Sequence, residues 1–326
     1  VNQAFGTNAP LIYMAIRRAD QSTPTDPDEV FQAHTYTGDG STRKYSLNIT
    51  PDMVINANRT DNSEAFALND RIRGKSNDLY TNGTQANYFA GAAVGFQFDQ
   101  TNGIEVPNYR IINSKNYLNL CWKRAKGYFD MIAYSGNGSN RTINHALGVV
   151  PEMMWIKSRS NASYWQVYHS ALGNTKYMEL NSSTPVSTNS ARWNDTTPTS
   201  SVFTLGGDDS VNDANRTYMA YLFASVSDVS KVGSYTGDGS SSQNIDCGFT
   251  TAGVEFLLIK STSSGDWYIW DRIRGIASGN DPYLRLNNAS AEVTNTDHID
   301  TFTTGFTVNS SFNTNSEVYI FYAIAR

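Results

Sequence analysis

The chain has 326 residues, 39% of them hydrophobic and only 17% charged, with a net charge of −5. That length suggests two or three domains, and the hydrophobic share is enough to fill cores. No basic stripe is present to hold phosphates, which argues against nucleic-acid binding, and no apolar run approaches the roughly 20 residues of a membrane-spanning helix.

The first segment, "VNQAFGTNAPLIYMAIRRAD" (1–20), reads like "VNDANRTYMAYLFAS" (211–225), a lead-in followed by a closing strand. Residues 1–26 are therefore expected to be the closing strand of an upstream unit plus a linker. The apolar load of residues 10–17 predicts that they pair into a sheet, because exposing them to water is costly.

Three similar units follow. The first carries "YTGDGS" (36–41), "MVINANRT" (53–60), "FALNDRIRG" (66–74), "LYTNGT" (79–84) and "YLNLCWKR" (117–124). The second carries "YSGNGS" (134–139), "MMWIKSRS" (153–160), "WQVYHSALG" (165–173), "YMELNSST" (177–184) and "YMAYLFAS" (218–225). The third carries "YTGDGS" (235–240), "LLIKSTSS" (257–264), "WYIWDRIRG" (267–275), "YLRLNNAS" (283–290) and "YIFYAIAR" (319–326). Tyr36, Tyr134 and Tyr235 are 98 and 101 residues apart, and the closing Tyr117, Tyr218 and Tyr319 are 101 apart each time. Such repetition is the first thing to read in a sequence, and this period is long enough for each unit to be a domain. The boundaries are 27–125, 126–226 and 227–326.

Each unit reads as short strands rich in aromatic and β-branched residues, bounded by Gly, Asn, Ser and Asp. The predicted fold class is all-β: three tandem β-sandwich domains of jelly-roll or concanavalin-like type, about 100 residues each. In "YIFYAIA" (319–325) both alternating faces are largely apolar, as in a central strand packed on two sides. The "GDG" and "GNG" triplets predict turns that need positive φ.

The chemistry-bearing residues show no catalytic, metal or cofactor pattern. His34, His145, His169 and His298 lack metal-ligand spacing. Cys121 and Cys247 fall in different units and read as small apolar residues. Asp70 and Asp271 are each followed by two arginines, Arg71 and Arg73 or Arg272 and Arg274. Read as strand, both arginines share one face, and an Asp–Arg pair across strands at a turn is favoured over a catalytic role. The second unit has His169-Ser-Ala-Leu-Gly173 there instead. The loop "GDDSVNDAN" (207–215) gathers Asp208, Asp209 and Asp213, oxygen ligands that suit a hard cation. The third unit has "NSSFNTN" at that place, which favours a polar turn. Trp165 and Trp267 occupy a position that Phe66 fills in the first unit, so they read as core. Trp193 is not repeated and lies in a polar stretch. Of the tryptophans it is the one expected to be exposed, and a core or interface role is at least as well supported for it as sugar stacking.

The order of these motifs, more than any one of them, resembles a module of tailed-bacteriophage virion proteins, often tail fibres. It covers residues 27–326. The resemblance implies a concanavalin-like sandwich and a virion location, with other copies of the chain and other virion proteins as partners and a host-surface glycan as a further one. Three readings follow: a non-enzymatic structural protein, a lectin-like binder, and a polysaccharide depolymerase. The E-x-D-x-x-E run of laminarinase-like glucanases is missing, and the recurring residues are glycines, aromatics and turn formers. The structural reading is favoured, as a homo-oligomer whose repeated weak contacts add by avidity.

Overall fold

A computed structural model describes residues 22–89, 95–98, 100, 102–250 and 253–326. The expected strand at residues 10–17 lies outside them. The described chain is all-β, and each repeat builds the same pair of sheets.

The first repeat contains β1 (Phe31–Thr37), β2 (Arg43–Ser46), β3 (Met53–Asn58), β4 (Ala67–Asp70), β5 (Asn77–Tyr80), β6 (Tyr88–Phe89), β7 (Gly103–Val106) and β8 (Asn116–Trp122). The second contains β9 (Phe129–Ser135), β10 (Arg141–Asn144), β11 (Met153–Ser158), β12 (Gln166–His169), β13 (Lys176–Glu179), β14 (Ser187–Thr188), β15 (Val202–Leu205) and β16 (Thr217–Phe223), with two one-turn helices, α1 (Ser190–Trp193) and α2 (Asp209–Asn212). The third contains β17 (Ser230–Thr236), β18 (Ser242–Asp246), β19 (Val254–Ser261), β20 (Tyr268–Asp271), β21 (Tyr283–Arg285), β22 (Asn288–Val293), β23 (Ile299–Phe302), β24 (Gly305–Asn309) and β25 (Val318–Ala325).

The large sheets have six strands each, in the orders β1-β8-β3-β4-β5-β6, β9-β16-β11-β12-β13-β14 and β17-β25-β19-β20-β21-β22. The small outer sheets are β2-β7, β10-β15 and β18-β24-β23. In every repeat the last strand slots between the first and the third.

Period-2 alternation sends the two faces of each large sheet to different cores. Outward residues pack under the small sheet of the same repeat, as Val54 and Cys121 do in the first, against Phe96 and Ile104. Inward residues of all three repeats join a single cluster, with Met53, Ile55 and Leu120 meeting Met153, Trp155 and Tyr221 and also Phe256, Leu258 and Tyr322. Rings touch across the repeats: Trp122 lies 5.5 Å from Phe256, and Phe223 lies 5.2 Å from Tyr322. The inner layer of each sandwich is thus shared among the repeats.

Three equivalent backbone hydrogen bonds close the arrangement into a ring. Asn87 N donates to Arg159 O (2.8 Å), Val186 N to Thr262 O (2.8 Å) and Glu292 N to Arg59 O (3.0 Å). Each repeat reaches the next, and the third reaches the first, which gives the chain an internal pseudo-threefold.

The recurring motifs hold this frame. Tyr36 stacks on Tyr117, Tyr134 on Tyr218 and Tyr235 on Tyr319, at 5.2, 5.2 and 4.9 Å. Gly40, Gly138 and Gly239 take φ of 78°, 69° and 76°, as their turns require. A Cβ on Gly38, Gly136 or Gly237 would lie 2.1–2.2 Å from a carbonyl oxygen of the neighbouring loop. After the fifth strand, the side-chain oxygens of Asn82, Asn181 and Asn287 accept from the backbone N–H of Phe66, Trp165 and Trp267.

The Asp-Arg-Ile-Arg-Gly stretch departs from its expected geometry. The strand ends at Asp70, and residues 71–73 form a turn. The two arginines therefore diverge instead of sharing a face. Asp70 accepts from Arg73 N (2.9 Å) and Arg73 Nε (2.5 Å), a fully buried pair within one turn. Asp271 does the same with Arg274, at 3.0 and 2.5 Å. Arg71 instead meets Asp52 (2.9 Å), and Arg272 faces Glu255 at 3.8 Å.

Candidate functional site: the seam between the first and second repeats

Three copies of one framework serve as internal controls. A residue present at all three equivalent positions serves the fold, whereas a position where one copy departs needs its own account. The seam between the first and second repeats departs most.

All three seams are built from the stretch after the fifth strand of one repeat and the stretch between the third and fourth strands of the next. In the first seam Ser163 N and Trp165 Nε1 donate to Thr84 O and Tyr80 O, both at 2.8 Å. In the second, Gly265 N and Trp267 Nε1 donate to Ser183 O and Glu179 O, both at 2.9 Å. The Phe66 ring has no N–H to give, and in the third seam the buried Thr81 hydroxyl donates to Leu286 O (2.8 Å).

Behind the first seam lies a connected polar group. Tyr221 of the second repeat donates its hydroxyl to Asp70 Oδ2 of the first (2.7 Å). Arg73, held by that carboxylate, also donates to Leu68 O, Asn77 O and Asn87 Oδ1. Lys157 replaces the apolar Ala57 of the first repeat. Its Nζ donates to Ser158 O (2.9 Å) and across the seam to Thr84 O (3.2 Å). Burial, together with the nearby Arg73 guanidinium, lowers the Lys157 pKa to about 7. Lys260, its counterpart in the third repeat, bonds to Ser261 O and Ser263 O, and burial lowers it to about 8.

At the surface of this seam stand Phe89, Tyr88 and Tyr164, 59%, 53% and 48% exposed, the three most exposed large apolar side chains among the described residues. Tyr88 lies opposite Asp78 on the edge strand β6, with its ring 6.4 Å from that of Tyr80. The equivalent positions in the second seam are Ser187, Thr188 and Asp266, and in the third Val293, Thr294 and Ala65. Asn77 lies opposite Phe89, and the Asn77 and Asn87 amides are bonded to each other and to Arg73.

The residues singled out from sequence lie elsewhere. Trp193 is buried, not exposed. Helix α1 turns it into the outer core of the second repeat, where its Nε1 donates to Lys176 O (2.9 Å) and its ring lies 5.8 Å from Tyr168. Asp208 caps α2 through Ser210 N (2.8 Å) and lies 3.5 Å from Arg192, itself stacked 4.0 Å from the Tyr177 ring. Asp209 accepts at its backbone oxygen from Tyr218 Oη (2.7 Å). Asp213 pairs with Arg216 at 3.1 Å. The carboxylates of Asp208 and Asp213 are thus engaged in separate local contacts. Among the described residues no three His, Cys, Asp or Glu side chains gather as a metal site. Of the sequence-derived set, Asp70 and Arg73 belong to the first seam, and Asp271 and Arg274 occupy the matching place in the third repeat. The exposed aromatics were missed because each differs from its counterparts, and repetition was the signal followed. A position-by-position comparison of the three copies would have flagged them.

Neither the comparison with curated proteins nor that with solved structures gives a match. Residues 26–326, all three repeats together, match the profile of a domain of unknown function (DUF7483), and the chain belongs to that family.

Proposed function

We propose that the chain is a non-catalytic structural protein of a tailed-bacteriophage virion, part of a tail fibre or another surface appendage. One observation carries the structural half of this reading: the residues that recur in all three repeats are spent on stacking tyrosines, closing turns and capping strands. Three sandwiches closed around one core make a stiff block with several loop surfaces, suited to repeated contacts with other copies and with other virion proteins. The order of the motifs, similar to that of phage virion modules, supports the location.

The test is immunogold labelling of purified virions with an antibody to this chain. Label at a fixed position on the tail or its fibres is expected. Virions without label would overturn the location. Turnover of a host polysaccharide, abolished by changing one carboxylate, would overturn the non-catalytic role.

A further inference from the structure

We infer that Arg159, in the first seam, is a binding site for the carboxylate group of a small ligand. This goes beyond the structural role and stands whether or not the chain sits in a virion.

The first argument is a missing partner. Among the described residues every arginine before the C-terminal Arg326, save Arg159, meets a carboxylate or a carbonyl oxygen. Nothing among them accepts a hydrogen bond from the Arg159 side chain. Its Nε is buried without a partner, and its two Nη groups remain open to solvent.

The second argument is what the equivalent arginine takes in the third seam. Arg59 and Arg159 share one backbone setting. Their N–H groups donate to the closing strand of their own repeat, at Asn116 O (2.8 Å) and Thr217 O (2.7 Å). Their carbonyls accept from the neighbouring repeat, from Glu292 N (3.0 Å) and Asn87 N (2.8 Å). In the third seam the Glu292 carboxylate binds Arg59 at two points and Arg274 at a third. In the first seam Asn87 stands in its place. The Asn87 amide oxygen satisfies Arg73 (2.8 Å), and its nitrogen donates to Asn77 (2.6 Å). Asn87 thus serves one guanidinium and leaves the other, Arg159, without the carboxylate its counterpart has. The second seam has Thr262 and Val186 at these positions, with no charge to match.

The third argument is local charge. The loop that carries Arg159, "KSRSNASYW" (157–165), has no acidic residue, and neither has "LYTNGTQANYF" (79–89) across the seam. The corresponding loops of the other repeats carry Asp61 and Glu64, or Asp266. Asp70 is held by Arg73 and Tyr221, and Asp78 is buried against Arg110. Lys157 is turned inward onto carbonyls. One guanidinium charge is left to match, and its planar fork suits the two oxygens of a carboxylate. Because water and salt reach the site, its affinity is about millimolar and falls with ionic strength.

NMR titration of the intact, nitrogen-15-labelled chain tests this, read at the Arg159 Nε–H and at the backbone amides of residues 158–162. The probes are acetate and methyl glucuronoside at low, constant ionic strength, with methyl glucoside as the neutral control and inorganic phosphate as the more highly charged one. Both carboxylates are expected to give saturable shifts. Arg159→Gln should weaken their binding about tenfold or more. Asn87→Glu should do the same, because it supplies from within the carboxylate that Glu292 supplies in the third seam, and it should melt no lower than the parent. Arg159→Gln decides the matter if Asn87→Glu does not fold. The inference is overturned if neither carboxylate gives a saturable shift, if methyl glucoside or phosphate binds as tightly, or if either folded variant binds like the parent. It is equally overturned if sedimentation shows the parent self-associating and Arg159→Gln monomeric, which would put a second copy on this arginine.

Discussion

Arg59 and Glu292, 233 residues apart in sequence, form a two-point ion pair, with Nε 3.0 Å from Oε1 and Nη2 2.8 Å from Oε2. The pair joins the first repeat to the third and so closes the ring. Glu292 Oε1 also takes Arg274 Nη1 at 3.0 Å. A largely buried carboxylate thus serves two guanidiniums, and its loss would leave charge uncompensated.

Glu292→Gln is accordingly expected to destabilise the fold by about 1–3 kcal/mol. Because the repeats share one core, calorimetry should still show a single unfolding transition. Separate transitions, one per repeat, would contradict the shared core.

Trp165→Phe and Trp267→Phe imitate what the first repeat already has at Phe66. Each leaves a carbonyl, Tyr80 O or Glu179 O, without its seam donor. A loss of about 1–3 kcal/mol is expected from urea unfolding. Thr81→Val should cost a similar amount, since its hydroxyl provides the bond across the third seam. A null result at all three positions would show that these bonds do not secure the seams.

The second repeat offers a double-mutant cycle. His169 and Leu172 stand where the other repeats place Asp70 with Arg73 and Asp271 with Arg274. His169 is fully buried, and burial lowers its pKa to about 4. His169→Asp alone should destabilise by about 3–5 kcal/mol, because it buries an unpaired carboxylate. Adding Leu172→Arg should recover part of that loss, with a coupling of roughly 1–3 kcal/mol. Strict additivity would mean that the turn does not enforce the pairing.

Stability should rise with pH from about 7 towards 9. Lys157 and Lys260 have pKa values of about 7 and about 8 in the fold, against roughly 10.4 for a free lysine. Between those values the unfolded chain binds more protons, so raising the pH favours the folded state by up to about 1.4 kcal/mol per pH unit for each lysine. Above about pH 9 the sign reverses, because burial raises the pKa values of the Cys121 and Cys247 thiols and of Tyr128 and Tyr221, and only the unfolded thiols and phenols ionise there. Urea midpoints at pH 7, 8 and 9 check this, and Lys157→Met should reduce the slope. A midpoint that falls over this range would refute it.

Much of the frame was legible in the sequence, because a turn that needs a glycine or a stacked tyrosine pair writes the same letters wherever it occurs. The shared core was less legible. Its trace lay in the closing strand "YIFYAIA" (319–325), apolar on both faces, but alternation alone does not reveal which partner covers each face. There Tyr319, Phe321, Ala323 and Ala325 pack under the outer sheet, and Ile320, Tyr322 and Ile324 enter the common cluster. Trp193 was misplaced because its neighbours are polar, whereas a one-turn helix decides its direction. Asp70 and Arg73 were expected to pair, but their partner Tyr221 comes from the next repeat, a contact that no spacing along the chain encodes.

The order of strands within each sheet has a consequence for synthesis on the ribosome. The strand that completes each large sheet is the last of its repeat to be made, and it must insert between two made earlier, as β25 does between β17 and β19. Until residues 318–325 emerge, the third sheet stays split and the inward aromatics of the first two repeats, Trp122 and Phe223 among them, lack their final cover. A nascent chain stalled late would therefore expose unpaired strand edges and large rings together, the combination most prone to aggregate or to attract chaperones. A premature stop that removed only the closing strand should be as damaging as one that removed the whole third repeat.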